Sequence, residues 1–363
     1  MAGIMAGQAK KNKNLDFDIN GFRAAILRWY DRHGRELPWR VKDGKRADPY
    51  AVWLSEIMMQ QTTIPMGTPY FLKFLNLWPT VQKLAAAPAE DIMREWAGLG
   101  YYARARNLHK CAKLIADERG GKFPDTYTQL LELPGIGPYT AGAISAICFD
   151  RPATVVDGNI ERVMARVFAI TEPLPSSKKM MIQKADALSE GRIDRPGDYA
   201  QAMMDLGAMI CTPRNPKCGL CPVLSFCAAK KKGIAETLPV RSAKKKKPKK
   251  FGYVYFIEDS KNNILFETRP EKGLFGGMAG LPTSEWATDL RDARHPSYLP
   301  VKKIKTHPER EVRHSFTHFD LTLIPCRVSW TGRKPAKMDW AHTKNVAKLG
   351  LPTLFQKAVK IMK

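Results

Sequence analysis

Four cysteines within residues 211–227 constrain this chain more than any other feature. Cys211, Cys218, Cys221 and Cys227 follow the spacing C-x6-C-x2-C-x5-C, and they are four of the seven cysteines in the sequence. Thiols this crowded either close a disulfide framework or bind metal. The odd total, and an N-terminus without the apolar core of a signal peptide, argue for metal in a reducing compartment. Four-cysteine zinc sites usually pair two close C-x-x-C units, and only Cys218 and Cys221 form one. A thioredoxin-like use of that pair would leave Cys211 and Cys227 unexplained. Thiolate ligation also suits iron-sulfur chemistry. The other three, Cys111, Cys148 and Cys326, read as small core residues.

Charge narrows the partner. Lys and Arg total 59 against 35 Asp and Glu, a net charge of +24, enough to expect attraction to a polyanion, most commonly nucleic acid. An anionic membrane is the rival, but no run approaches the roughly 18 apolar residues of a spanning helix. Residues 1–15, with Lys10, Lys11 and Lys13, read as a disordered basic tail. Between 228 and 250, ten basic residues stand against the single acid Glu236, and this stretch reads as an interdomain linker. Before it the chain is patterned as helices, and from Phe251 onward it alternates as strands do. These signals divide the chain into a mainly α region over 16–227 and a smaller α+β domain over 251–363.

Within the helical region, residues 126–149 read as two short helices around a glycine hairpin. Asp125 is the expected N-cap, Leu130, Leu131 and Leu133 supply the apolar positions, and Pro134-Gly135-Ile136-Gly137 ends the first helix. Pro138 opens the second at its favoured position. Gly135 and Gly137 would let backbone N–H groups approach a phosphate, helped by the positive end of the following helix. A plain turn between helices would look the same locally.

Two carboxylates stand out. Asp48 caps a helix beginning at Pro49, on which Glu56 falls among Val52, Trp53, Met59 and Gln60. If that face is buried, desolvation raises the pKa of Glu56 and keeps a proton on it near neutrality, as a general acid requires; if the helix is rotated, Glu56 is merely solvated. Asp157 precedes Ile160, Val163, Met164 and Val167, and most economically caps the helix they form.

Several motifs together resemble a known family. Leu37-Pro38-Trp39-Arg40, Asp48-Pro49-Tyr50, the run from Trp53 through Glu56 to Gln61 and Thr62, and the run from Trp96 through Tyr101 to Leu108 are similar to MutY-type adenine DNA glycosylases. The hairpin resembles the helix-hairpin-helix of DNA-repair glycosylases, and the cysteine spacing matches the four-iron four-sulfur loop of the endonuclease III and MutY families. The resemblance implies a 4Fe-4S cluster on Cys211, Cys218, Cys221 and Cys227. It implies that Glu56 protonates the departing adenine and that Asp157, assisted by Asn159, stabilises the oxocarbenium-like sugar. Trp39 and Arg40 fall near the adenine pocket, after which the 41–46 loop is longer than the family's. Gln61, Thr62 and Tyr101 fall where residues enter or contact the duplex. Tyr139 occupies the position at which strand-cutting relatives carry a Schiff-base lysine, which implies base hydrolysis without lyase chemistry.

The second domain resembles the Nudix-like C-terminal domain of MutY proteins, including Arg269-Pro270 and Leu351-Pro352-Thr353-Leu354. Residues 251–257 and 264–267 read as strands, the glycine-rich 273–280 stretch as weak evidence of phosphate binding, and 316–325 as an alternating strand. Phe316-Thr317-His318 matches the family's 8-oxoguanine-reading Phe-Ser-His, with threonine for serine. The implied partner is double-stranded DNA holding adenine opposite 8-oxoguanine or guanine, bound by a monomer in a bacterial-type cytoplasm, associated with the nucleoid through DNA. Two other readings fit parts of the chain: an endonuclease III-type glycosylase/lyase, and a non-enzymatic helix-hairpin-helix DNA-binding protein.

Overall fold

The computed structural model describes residues 18–41, 46–191, 194–243, 246–270, 273–299, 304–330, 333–336 and 338–362. The expected tail at 1–15 and residues 42–45 of the long loop lie outside these. Thirteen α-helices and seven strands are found among the described residues. They group into two compact units, Met1–Ile57 with Lys122–Ala243, and Met58–Gly121 with Lys244–Lys363.

The first unit is helical. It contains α1 (Ile19–His33), α2 (Pro49–Met58) up to Ile57, and, after the excursion into the other unit, α7 (Tyr127–Leu131), α8 (Pro138–Phe149), α9 (Gly158–Val167), α10 (Lys178–Ser189), α11 (Pro196–Asp205) and α12 (Ala228–Lys231). α8 and α2 are core helices rather than amphipathic surface ones. Thr140 through Ser145 are all buried in α8, and Val52 through Met58 are all buried in α2. A helix with no solvated face cannot rotate a carboxylate out to water, and this decides the environment of Glu56. Ile160, Val163, Met164 and Val167 of α9 pack with Phe22 and Ile26 of α1 and Tyr199 and Met203 of α11.

Two local readings shift. The N-cap of α7 is Thr126, whose Oγ1 accepts from Gln129 N at 3.3 Å, while the Asp125 carboxylate pairs with Arg151. Leu130 and Leu133 are buried as expected, but Leu131 is exposed, because a helix of one turn has room for only a narrow apolar stripe. A larger correction concerns the 228–250 linker. Ala229, Ala235 and Leu238 are buried in the first unit's core, Leu174 N donates to Val240 O at 2.9 Å, and β1 already begins at Lys249. Three apolar side chains suffice to anchor the segment while its lysines stay in water.

The second unit joins α3 (Ile64–Leu77), α4 (Val81–Ala86), α5 (Ala89–Glu95) and α6 (Ala103–Arg119) to a mixed sheet. These helices therefore group with the β domain rather than with the rest of 16–227. Arg106 Nη1 donates to Gly276 O at 2.8 Å, Tyr102 meets Phe275 edge-on at 5.9 Å, and a Cβ on Gly350, at φ +63°, would stand 2.7 Å from the Arg94 Cα. The strands are β1 (Lys249–Glu258), β2 (Asn263–Thr268), β3 (Ala279–Gly280), β4 (Ile304–Thr306), β5 (Val312–Ser315), β6 (Asp320–Ser329) and β7 (Met338–His342). Their order is β3-β2-β1-β6-β4, with β5 also on β6 and β7 also on β2. β1 and β6 run parallel over their whole length, from Lys249 opposite Asp320 to Glu258 opposite Ser329, and the other pairings are antiparallel. α13 (Thr353–Met362) buries Leu354, Phe355, Ala358, Val359 and Met362.

The expected strand over 316–325 starts later, at Asp320. Phe316 N donates to Phe319 O at 2.8 Å, closing a tight turn between β5 and β6 that sends both phenyl rings to one side, 4.8 Å apart. The glycine-rich stretch is a packing loop: Phe275, at φ +61°, is buried against Phe316 and Phe355.

Candidate active site

Glu56 lies in the last turn of α2 with 9 % of its surface exposed. Burial pushes its carboxyl up to about 7, the Asp157 charge adds to the rise, and a hydrogen bond with Tyr139 and the nearby Arg40 act against it. Tyr139 stands one residue into α8, placed there by the hairpin. Ile136, buried, anchors the turn and donates to Leu133 O at 3.1 Å, and Gly135 takes φ +79°, a conformation costly for any residue with a Cβ. Gly137 is the N-cap of α8. The Tyr139 hydroxyl also reaches Met204 Sδ at 3.7 Å.

Asp157 is the N-cap of α9. Its Oδ1 accepts from Asn159 N at 2.9 Å and Ile160 N at 2.8 Å, and its Oδ2 from Asn159 Nδ2 at 2.8 Å. Asn159 Oδ1 in turn accepts from Arg162 Nη2 at 3.0 Å, so donor and acceptor ends of the amide are both assigned. Arg162 Nε donates to Cys211 O at 2.7 Å and its Nη2 to Gly207 O at 2.6 Å. A Cβ on Gly207 would stand 2.7 Å from Asn159 Cβ, so only glycine lets the two segments approach. An unbroken series of hydrogen bonds thus runs from the cysteine loop to Asp157.

Arg40 ends a tight turn, its N donating to Leu37 O at 2.9 Å. Its guanidinium grips Asp205 from α11 at 2.7 and 2.8 Å, and Arg35 binds the same carboxylate through its backbone N at 2.8 Å and Nε at 2.7 Å. Burial works against the Asp205 charge, but these donors outweigh it and hold the group below the usual carboxylate range. A cleft of about 830 Å³ opens beside the pair, lined by Tyr30, Arg35, Leu37, Arg40 and Gln201 among others. Trp39 is half-buried in the same turn and does not line that cleft.

The four cysteines surround a small cavity with Val163, Leu206, Ile210 and Val223, and among the described residues no carboxylate or imidazole lines it. Arg166 Nη1 donates to Cys211 Sγ at 3.3 Å, and main-chain N–H groups of Val223 and of Ala229 and Lys230 bond Cys221 and Cys227. Burial, with the charge of the neighbouring cysteines adding to the rise, pushes Cys221 up to about 12 and raises Cys227. Thiolates here therefore require strong local positive charge, which iron ions supply, and an all-sulfur donor set with N–H···S bonds fits an iron-sulfur cluster.

In the second unit Gln61 and Tyr101 are exposed and both take left-handed backbone, at φ 55° and 48°. Such conformations cost non-glycine residues on the order of 1–3 kcal/mol and concentrate at functional positions. Thr62, beside Gln61, accepts from Arg104 at 3.3 Å. Thr317 and His318 stand exposed in the β5–β6 turn, above Phe316, which packs on Phe319, Phe275 and Trp286.

Arg35, Asp205, Arg162, Arg166 and Gln201 were not singled out from the sequence. Asp205 carries the same signal as Glu56, an acid inside an apolar run, and Arg162 and Arg166 recur four apart on the apolar face of α9. Charged residues on a face that must be buried are partnered in the folded chain.

Comparison with known proteins assigns the family. Residues 54–189 match the model of the HhH-GPD superfamily base excision DNA repair protein, 211–227 the iron-sulfur binding domain of endonuclease III, and 253–360 the NUDIX domain. An adenine DNA glycosylase of Buchnera aphidicola subsp. Schizaphis graminum is 35% identical over 351 residues, covering 94% of this chain and 99% of its own. The chain belongs to the adenine DNA glycosylase family. The Homo sapiens adenine DNA glycosylase is 34% identical over 376 residues, 88% of this chain and 68% of that one. Among solved structures, a thermostable thymine-DNA glycosylase superposes with a TM-score of 0.52 at 30% identity, over 59% of this chain and 97% of its own. Membership carries the 4Fe-4S cluster with it: the matched iron-sulfur segment begins at Cys211 and ends at Cys227. Among the described residues no helix is long and apolar enough to cross a membrane.

Proposed function

We propose that this chain is a monofunctional glycosylase that hydrolyses adenine from duplex DNA when it is paired with 8-oxoguanine or guanine. The observation that carries this reading is Glu56: a carboxyl buried to a pKa of about 7, bonded to Tyr139 and facing the charge of Asp157, in a family named for adenine release. Adenine leaves the stack and is received beside Arg40, whose charge acts on Glu56. Glu56 donates its proton to the base as the glycosidic bond breaks and the bonding electrons leave with adenine. Positive charge then develops on the sugar, and the Asp157 carboxylate, held in place by Asn159, stabilises it. Water adds to the sugar carbon, and the proton it releases restores Glu56.

Tyr139 has no amine for a Schiff base, so the backbone stays intact at the abasic product. Gln61, Thr62 and Tyr101 enter or line the duplex, and Gly135 and Gly137 offer main-chain N–H groups to a phosphate. Phe316, Thr317 and His318 read the base opposite adenine. Cys211, Cys218, Cys221 and Cys227 would hold the cluster, which would fix the fold of their loop, and the exposed Arg214 and Lys217 of that loop meet the DNA backbone as part of a monomer's basic surface.

The test is adenine release from a duplex holding one adenine opposite 8-oxoguanine, with wild type and Glu56→Gln compared and alkali omitted in one arm. Release by wild type alone, with nicks only after alkali, is the expected result. Nicking without alkali would replace the monofunctional reading by the lyase one, and absence of release by cluster-loaded wild type would sink the substrate assignment.

A further inference from the structure

Arg104 lies on the first turn of α6, partly buried, and its guanidinium does an unusual amount of bridging. Nη1 donates to Met58 O at 2.9 Å, and Nη2 to Thr62 Oγ1 at 3.3 Å, Leu99 O at 3.2 Å and Gly100 O at 3.2 Å. The first two acceptors flank Gln61; the last two immediately precede Tyr101. The same guanidinium lies over the rings of Trp96, at 5.2 Å, and Tyr101, at 5.8 Å. Trp96 Nε1 adds a bond to Gly100 O at 3.2 Å, and Tyr70 OH donates to Ala97 O at 2.8 Å, so the 96–101 loop is pinned from inside.

Two separate loops therefore each expose one side chain on left-handed backbone, and one planar cation is bonded to both. A planar fork with five donors can satisfy carbonyls in two directions at once, whereas an ammonium on the same stem can hold one cluster of acceptors and cannot stack. We infer that Arg104 is a positioning residue that holds Gln61 and Tyr101 in a common register, so that both enter the duplex together when adenine is extruded. This rests on the reading given above for Gln61 and Tyr101 and goes beyond it in assigning the residue that couples them.

The test compares wild type, Arg104→Lys and Thr62→Val, all cluster-loaded, on two substrates: a fully paired duplex with adenine opposite 8-oxoguanine, and a duplex carrying the adenine as a single-nucleotide bulge. Adenine release is followed under single turnover, and extrusion by the fluorescence of 2-aminopurine next to the target. Arg104→Lys should slow release from the paired duplex roughly 10- to 100-fold, the scale of a misplacement of about 1 Å, with the fluorescence rise slowed in step. On the bulge it should stay within about threefold of wild type, because an unpaired base costs little to extrude. Thr62→Val, which removes the hydroxyl that accepts from Arg104 and donates to Gln60 O at 3.3 Å but no charge, should shift the paired substrate the same way by roughly two- to fivefold; it decides the matter if Arg104→Lys does not fold. Equal slowing on both substrates, or no slowing on the paired one, overturns the inference. Wild type releasing adenine from neither overturns instead the parent reading.

Discussion

Around Glu56 and Asp157 the polar groups are buried or partly buried and tied to one another: Tyr139 to Glu56, Asn159 to Asp157, Arg162 to Asn159, Arg40 and Arg35 to Asp205. Around Thr317 and His318 the polar side chains stand in water, and order comes from the rings of Phe316, Phe319, Phe275 and Trp286 beneath them. The difference follows from what each region is asked to do in the proposed reaction. Stabilising charge that develops in a transition state requires donors and carboxylates fixed beforehand in a dry site. Reading a base edge requires only that a few exposed hydrogen-bonding groups be held at a defined height above a rigid platform, so small changes there tune selectivity rather than rate.

The sharpest way to break this contrast is Glu56→Gln. The isosteric amide keeps the packing of α2 but has no proton to donate, and single-turnover adenine release should fall by about 10²–10⁴-fold while the melting temperature does not drop. A comparable rate loss from any exposed residue of the β5–β6 turn would show that the two regions are not built differently after all.

Asp205→Ala comes next. It leaves the Arg40 and Arg35 guanidinium groups facing a buried gap, and chemical denaturation should report a loss of about 3–5 kcal/mol. The same change at exposed His318 should move stability by no more than about 0.5 kcal/mol.

Titration of Glu56 sharpens the comparison further. Its folded-state pKa of about 7 lies above the unfolded value of 4.5. Folding is therefore unpenalised below 4.5, and the cost of burying this carboxyl grows between 4.5 and 7 and levels off above 7 at roughly 3 kcal/mol for a shift of this size. Single-turnover release should decline about tenfold per pH unit above 7 at saturating DNA. The stability of Glu56→Gln should exceed that of wild type increasingly between pH 4.5 and 7, and by a constant margin above 7. A wild-type stability curve identical to that of the variant from pH 5 to 9 would contradict the buried, proton-holding carboxyl.

Gly207→Ala tests the series linking the cysteine loop to Asp157 without touching a polar group. Its new methyl must displace Asn159, and release should slow by roughly 10-fold or more with a modest loss of stability. The smallest effects belong to the recognition turn. Thr317→Ser keeps the hydroxyl and should change the preference for 8-oxoguanine over guanine by no more than about twofold, whereas Thr317→Ala should lower it roughly fivefold, one hydrogen bond's worth. Competition between the two substrates in one reaction measures both.

Local patterns were legible wherever a residue's role depends on its immediate neighbours. Pro138 after two glycines starts α8, and Asp157 caps α9. Asp48 accepts from Tyr50 N ahead of α2, and β1, β2 and α13 fall close to their expected places. The cysteine spacing identified its own loop, because a cluster needs its four ligands regardless of the surroundings. The misreadings have one origin. Counting lysines over 228–250 hid three apolar anchors, and alternation over 316–325 concealed a four-residue turn, since charge and period describe a segment in isolation and neither records what packs against it.

The sequence by itself determined the elements, the metal-binding loop and the two carboxylates as candidates, because spacing and side-chain chemistry are properties of the chain. Only the tertiary structure decided that α2 has no solvent face, that burial therefore pushes the Glu56 carboxyl up to about 7, that Arg40 and Arg35 meet on Asp205, and that helices α3–α6 group with the β-sheet rather than with the rest of the helical region. Those outcomes depend on desolvation and on contacts between segments as many as 170 residues apart, such as Arg106 with Gly276. No window of sequence contains both sides of such a contact, and the field at a buried group is the sum over all of them.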